Sequence, residues 1–503
     1  MTVSVVEYLE TSAKAFPDKT ALTDERSSLT YAQLRTCSYK IAACLLDYGA
    51  GSEPVVVFME KSVQSIASFL GVASSGKFYV PVDVEMPPAR INKILETLRP
   101  RLAIVTSACR EQFVATAFKG EVLVYEECLQ CDADEAAVNV AIESIIDTDL
   151  LYVLFTSGST GAPKGVTIRH ISVIDYIERL VEVFGFTDRD VFANQAPFYF
   201  DNSVLDIYST LRVGATMHIV PQRLFSFPVR LLEDLNACKA TCVFWVPAAL
   251  IIVANFRALP AVHVPTLNKI LFAGEVMPNK QLNQWRAEYP DALFANLYGP
   301  TEIAVDCTYY IVDRMFDDSD PLPIGNAFRN SDVLVLGDGD ELISPARVGV
   351  LGELCVRGSS LSCGYYNNPE KTAEAFVQNP LNSAYPEIIY RTGDLVRYNE
   401  YGEIDYVSRK DFQIKRFGHR IELGEIETAC AAIPGVDHCC CLFEEKRNDL
   451  VVFMTGSVDE ESVIGQLKSQ LPSYMVPSRV ERMRALPMTG SGKIDRVALK
   501  ASM

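Results

Sequence analysis

Residues 151–165 read LYVLFTSGSTGAPKG, an apolar run that breaks abruptly into small residues and one cation. Thr156, Ser157, Gly158, Ser159, Thr160 and Gly161 offer hydroxyls and approachable backbone N–H groups, and Lys164 adds positive charge. Donors of this kind cradle a polyphosphate, because glycine admits close backbone approach and successive N–H groups form an anion-binding concavity. The stretch is not a Walker loop, which needs Gly-Lys-Ser/Thr at the opening of a helix; here Gly165 follows Lys164. A second small-residue loop with a cation, TGSGK, occupies 489–493 and contains Lys493. Either loop alone reads equally well as a surface turn, so its meaning depends on what the rest of the chain brings to it.

The elements that must position these loops follow from hydrophobic period. Val6, Leu9, Ala13 and Phe16 recur at helical spacing within residues 3–16, and 40–48 and 171–184 carry further helical patterns. Between them lie VVVFM, KFYVPVD and LAIVT, short β-rich runs. Strands alternating with helices predict an α/β fold with mostly parallel, doubly wound sheets. A chain of 503 residues exceeds one ordinary core, so at least two domains are expected.

Composition narrows the function classes. The chain is 49% hydrophobic and 22% charged, with a formal net charge of -18 and no basic patch. Nucleic acid and anionic membrane are therefore poor partners. The N-terminal stretch carries acids early and has no apolar leader core, and no run approaches the roughly 18 apolar residues of a membrane span. A cytoplasmic protein is the expectation. The 14 cysteines are scattered through apolar segments. Cys128 and Cys131 form one CxxC without a second pair, and the run 438–441 (HCCC) falls in a strand pattern that turns neighbours to opposite faces. Neither offers convergent zinc ligands, so reduced thiols are expected.

Further motifs follow the first loop in order: NQAPFYFDNSVLDIY (194–208), LFAGE (271–275), NLYGPTE (296–302), GELCVRG (352–358), YRTGDL (390–395), SRKDFQIK (408–415), GHRIE (418–422), and TGSGKIDR (489–496). Together, over essentially the whole length, they resemble the adenylation domains of nonribosomal peptide synthetases and the stand-alone amino acid–carrier protein ligases of the adenylate-forming superfamily. Ser408 departs from the pattern, standing where the family usually has glycine.

The resemblance implies a large core, 1–409, and a small α+β lid, 410–503, hinged at Asp411. It implies ATP and Mg²⁺ as requirements. Thr156 to Lys164 would hold the leaving phosphates, Glu302 the metal, and Asp394 and Arg409 the ribose. Gly274, Glu275, Asn296, Tyr298, Gly299 and Thr301 lie in the motifs that hold the nucleotide. Lys493 would bridge the substrate carboxylate and the adenylate oxygens, and Gly418 would face the tunnel of a phosphopantetheine thiol.

By the same resemblance Asp201 would meet the α-ammonium of an amino acid. The pocket would be completed by Asn202, Leu205, Trp245, Leu271, Ala273, Leu297, Val305, Asp306 and Lys493. This set is similar to that of prolyl–carrier protein ligases, so L-proline is the first expectation. D-alanine, L-alanine and serine remain open, because the wording around 194–208 also resembles D-alanine–carrier protein ligases and Asp306 suits a hydroxyl. Seven residues follow Arg496, so a carrier protein in trans is expected. A non-catalytic adenylate sensor is the alternative from another class.

Overall fold

A computed structural model describes residues 2–158, 162–411, 413–445, 447–488, 494–501 and 503. The β-rich runs become the centre of a six-stranded sheet. In spatial order its strands are Glu121–Val124, Leu102–Val105, Pro54–Phe58, Phe78–Val82, Leu150–Thr156 and Lys164–Arg169. The first five pair in parallel and the last pairs antiparallel. Pro54–Phe58 and Phe78–Val82 are buried at every position, which is why they read as continuous apolar runs rather than alternating ones.

A nine-stranded sheet, again mostly parallel, holds Val191–Asn194, Cys242–Trp245, Lys269–Ala273 and Leu293–Tyr298 near its middle. Helices Val63–Ser74 and Asn202–Val213 are buried nearly all round, as expected of helices between two sheets. The Tyr79 and Tyr208 hydroxyls hydrogen-bond at 2.9 Å, and Phe69 stacks on Tyr79 at 4.4 Å, tying sheet to helix. The helical patterns near the N-terminus and at 171–184 form Val6–Ala15, Tyr31–Leu46 and His170–Phe184.

Two features go beyond alternating strands and helices. A third sheet, built from Ser331–Leu336, Gly352–Gly358, Phe376–Gln378, Ile388–Tyr398 and Ile404–Arg409, is wholly antiparallel. Ser408 pairs with Leu395 there and is not among the residues with positive φ, so a side chain is tolerated where the family has glycine. After Asp411 the chain builds a separate α+β unit. It has a hairpin, Gln413–Arg416 with His419–Glu422, and a sheet of Val436–Glu444, Asp449–Gly456 and Arg479–Arg482.

Alternation along that lid sheet divides its two faces. Cys441, Leu450, Val452 and Met454 pack with Ile421 and Ile426 on one side. Cys440, Leu442, Val451 and Phe453 pack with Leu486 and Ile494 on the other. The HCCC run thus serves two cores, and all 14 cysteines are free thiols. Among the described residues no helix is long and apolar enough to cross a membrane.

Candidate active site

The loop at 157–163 joins two paired strands, with Thr156 opposite Lys164. Ser159, Thr160 and Gly161 lie outside the described residues, as do Gly492 and Lys493. Lys164 lies 5.1 Å from the Tyr365 ring centre and close to Glu302. Burial lowers the Lys164 pKa, and Arg420 adds to the effect. Glu302 is fully buried in the one-turn helix Thr301–Ile303. It accepts from the Tyr365 hydroxyl at 2.7 Å and from Arg420 Nη1 at 3.0 and 2.8 Å. Burial alone would raise this carboxyl, but the Arg420 and Lys164 cations outweigh it and hold it at about 2.

After that turn Ala304 and Val305 both take positive φ, +53° and +84°. Such backbone is costly for a β-branched residue and is held by its surroundings. Gly299 makes the reversal possible: a Cβ there would meet the Val305 carbonyl oxygen at 2.2 Å.

Asp394 and Arg409 are directly opposite on adjacent strands, which explains their separation in sequence. Arg409 donates to Asp394 Oδ1 at 2.8 Å and makes two bonds to Asp411 at 2.7 and 2.9 Å. Tyr298 OH donates to the other Asp394 oxygen. One guanidinium therefore joins the buried acid to the start of the lid. Asn296 donates to the Pro323 carbonyl at 2.8 Å, and Glu275 accepts from the Ala248 N–H at 3.2 Å. Gly274 sits at φ +99°, beside Val246 and Phe200.

Asp201 immediately precedes the helix Asn202–Val213 without capping it, leaving its carboxylate available. It is 4% exposed and hydrogen-bonded by Thr301, and burial pushes its pKa up to about 6. Leu205, Leu271, Ala273, Leu297 and Val305 share one buried cluster with Tyr152, Tyr176 and Phe244. Asp306, 2% exposed, accepts from the Tyr176 hydroxyl at 2.6 Å. Burial, with Asp201 nearby, pushes Asp306 up to about 8. Asn202 Nδ2 and the Tyr152 hydroxyl are buried without a hydrogen-bond partner in the protein.

Trp245 lies across from Phe272 in the sheet. Phe244 pairs with Leu271 and Trp245 with Phe272, so neighbours across the sheet put Phe244, not Trp245, on the Leu271 face. The indole instead packs edge-on against Phe225, 5.2 Å between centroids, and donates to the Ala193 carbonyl. It belongs to a second buried cluster, with Phe272 and Trp285.

The hairpin of the smaller domain reaches the same residues. Gly418 N–H donates to Glu275 at 2.9 Å, Ser157 Oγ donates to the Arg420 carbonyl at 2.7 Å, and Arg420 holds Glu302. His419 stacks on Tyr474 at 3.8 Å and lies 6.1 Å from Phe200. A buried Arg90–Glu425 ion pair adds a second lid–core tie. Gly418 is pressed against Val246, where a Cβ would come within 2.5 Å. Phe200, Val246, Phe417 and His419 also line a cavity of about 620 Å³. Arg420, Tyr365 and Tyr176 had no role in the sequence reading. Arg420 and Tyr365 carried a signal, each lying in one of the ordered motifs (418–422 and 364–366), and Tyr176 carried none.

The AMP-binding enzyme family matches residues 9–366, and the AMP-binding enzyme C-terminal domain matches 425–493. Tyrocidine synthase 3 of Brevibacillus parabrevis is 32% identical over 98% of this chain, which spans 8% of that protein. Zwittermicin A synthase ZmaJ of Bacillus cereus is 30% identical over 99% of this chain and 95% of its own. The fold is that of holo-PA1221, an NRPS protein containing adenylation and PCP domains, with a TM-score of 0.84 and 24% identity over 100% of this chain and 84% of that one.

Proposed function

The chain is an adenylation domain belonging to the AMP-binding enzyme family, and from that premise we propose that it activates a small amino acid with ATP and passes it to the phosphopantetheine thiol of a carrier protein. In the first half-reaction a carboxylate oxygen attacks the α-phosphorus of ATP and pyrophosphate leaves. In the second the thiol sulfur attacks the acyl carbon, its proton is lost and AMP leaves. The observation that carries the reading is three buried acids, Asp201, Glu302 and Asp394: Glu302 is close enough to Asp201 to raise its carboxyl, and buried Lys415 lies near both Asp201 and Asp394.

Each acid suits one task. Asp201 is an anion in an apolar wall, suited to an α-ammonium. Asp394 retains acceptor sites beyond Tyr298 and Arg409 for two ribose hydroxyls. Glu302 is a hard-oxygen donor held ionised at about 2, so it fits a magnesium ion, which needs only one or two carboxylates besides phosphate. Glu302 would hold the metal, which offsets negative charge on the phosphates when bound. Thr156 to Lys164 would hold the leaving phosphates, and Gly274, Glu275, Asn296 and Tyr298 the base. Lys493 is the cation assigned to the α-phosphate. We divide the chain at 409/410 and take Asp411, gripped by Arg409, as the hinge. The cytoplasm, where ATP is plentiful, is the compartment that suits this chemistry.

The carrier reading rests on the cavity of about 620 Å³ beside Gly418, which has room for a pantetheine arm. It also draws on PA1221, which joins adenylation and PCP domains. Leu205, Leu271, Ala273, Leu297 and Val305 make a small apolar wall that favours L-proline. The Asp306–Tyr176 pair supports a second reading: an acceptor in that wall would take the hydroxyl of serine. Alanine of either hand would fill the same space without using it.

Amino-acid-dependent ATP–pyrophosphate exchange across L-proline, L-serine, D- and L-alanine and glycine tests this. Strongest exchange with L-proline supports the first reading, and with serine the second. No exchange with any acid would leave the adenylate sensor. In the same assay Asp394→Ala should raise the KM for ATP about 10–100-fold, from a net loss of roughly 1.5–3 kcal/mol of charge-assisted hydrogen bonding. The KM for the amino acid should move far less. Equal shifts in both would remove Asp394 from the ribose site.

A further inference from the structure

The CxxC at 128–131 plays no part in the active site, but a third thiol joins it. Cys37, Lys40 and Cys44 share one face of the helix Tyr31–Leu46, at positions i, i+3 and i+7. That face meets the segment 125–131. Cys37 is hydrogen-bonded with the Tyr125 side chain, and Lys40 Nζ donates to the Leu129 carbonyl at 2.8 Å. The Cys128 carbonyl then receives two donors, Cys44 Sγ at 3.8 Å and the Cys131 N–H at 3.2 Å. Around this shared oxygen three thiols gather, and the Cys44 thiol is hydrogen-bonded with the side chains of both Cys128 and Cys131. Cys44 and Cys128 are 8% and 4% exposed, whereas Cys131 is open to solvent. Apolar packing accounts for the two sheltered thiols; it does not account for an exposed one held against them.

We propose that Cys44, Cys128 and Cys131 form a peroxide-oxidisable thiol site, in which Cys131 takes the oxidant and Cys44 closes a disulfide between the helix Tyr31–Leu46 and the CxxC. The site is separate from the adenylation chemistry and does not rest on it. The Cys131 thiolate attacks one oxygen of hydrogen peroxide: an S–O bond forms, the O–O bond breaks, and the leaving hydroxide takes up the thiol's proton as water. The Cys44 sulfur, losing its own proton, attacks the sulfenic sulfur. The S–S bond forms, the S–O bond breaks, and a second water leaves with that proton. Two thiols have given up two electrons, and one peroxide has become two waters. Cys128 can then attack the Cys44 sulfur and release Cys131 as thiolate, which moves the bond inward. Hydrogen bonding from Cys44 holds the Cys128 thiol below its ordinary value and favours that exchange. Hydrogen bonding to Cys44 raises the Cys131 thiol, against the Lys40 cation, so the first step should quicken as pH rises. In a reducing compartment the bond would be transient, as cytosolic disulfides usually are.

The test treats the full-length protein with a modest excess of hydrogen peroxide, blocks remaining thiols with N-ethylmaleimide, digests without reductant and maps cross-linked peptides by mass spectrometry. In the parent protein the first disulfide should join the peptide containing Cys44 to the one containing Cys128 and Cys131, and dithiothreitol should remove it. Cys363, exposed beside Arg169 and Thr167, is the comparison and should take up oxygen without cross-linking. Cys131→Ser should slow the cross-link by about tenfold or more, since the sheltered sulfurs must then meet the oxidant themselves. Cys44→Ser should leave Cys131 as a sulfenic acid that dimedone traps. Cys128→Ser should still link Cys44 to Cys131. The Tm of each variant reports whether it is folded, and the parent protein's result stands even if a variant is not. A parent whose Cys131 passes on to sulfinic acid with no cross-link, or a Cys131→Ser protein that cross-links at the parent's rate, would overturn the proposal.

Discussion

Asp201→Asn should lower amino-acid-dependent ATP–pyrophosphate exchange by about 10²–10³-fold, because breaking a buried charge pair costs roughly 3–5 kcal/mol. The substrate's ammonium would enter a wall of leucines and valine with only an amide to meet it. The parent protein should also show a pH signature. Burial holds the Asp201 carboxyl at about 6 in the free protein, so below that pH the site is protonated before an amino acid arrives. The kcat/KM for the amino acid should then fall about tenfold per pH unit below 6, while the Asn variant stays flat. Stability moves the other way. A carboxyl raised from 3.8 to about 6 binds its proton more tightly when folded, so stability falls as pH rises through that window. Asn carries no such penalty, and the variant should melt no lower than the parent at pH 7. Loss of exchange with an undiminished Tm is the expected pair of results. Exchange near the parent's level, or a flat parent profile, would remove Asp201 from the ammonium site.

Much of the fold was legible in the sequence because it is local or ordered along the chain. Thr156 and Lys164 stand opposite one another on paired strands, and Asp201 is buried at the start of the helix Asn202–Val213. Buried parallel strands read as apolar runs, and the cysteine run 438–441 reads correctly as a strand whose neighbours face apart. What was not legible depends on face and on contacts distant in sequence. Trp245 and Phe244 are adjacent in a strand, and only the register decides which shares a face with Leu271 and which with Phe272. A motif fixes position along the chain, but a one-residue change of face reverses the role. Tyr176 reaches Asp306 from a helix 130 residues earlier, and Arg420 reaches Glu302 across 118 residues and two domains. Nothing in the local wording of either residue states its partner. The positive φ of Val305 is a further example, since no sequence rule favours a β-branched residue there.

Lys493→Ala should reduce ATP–pyrophosphate exchange by about 10²–10³-fold, the usual cost of deleting one group that meets developing charge. Loading of a carrier thiol from preformed aminoacyl-AMP should fall far less. The asymmetry follows from the two faces of the lid. Met488 and Ile494, which flank the loop, bridge one another, and Ile494 packs with Leu486 and Phe453. The hairpin side, Ile421 with the helix Leu423–Ala431, packs on the opposite face of the same sheet. Gly418 and Arg420 already fill the space beside Glu275, Ser157 and Glu302. On the proposed reading, the first half-reaction uses Lys493 and the second uses the hairpin side of this unit. Removing the lysine harms the step in which charge builds on the α-phosphate. Measuring exchange and thiol loading on the same preparation separates the steps. Equal losses in both would mean that Lys493 serves the fold of the lid rather than the first half-reaction, and no loss in either would remove it from the chemistry.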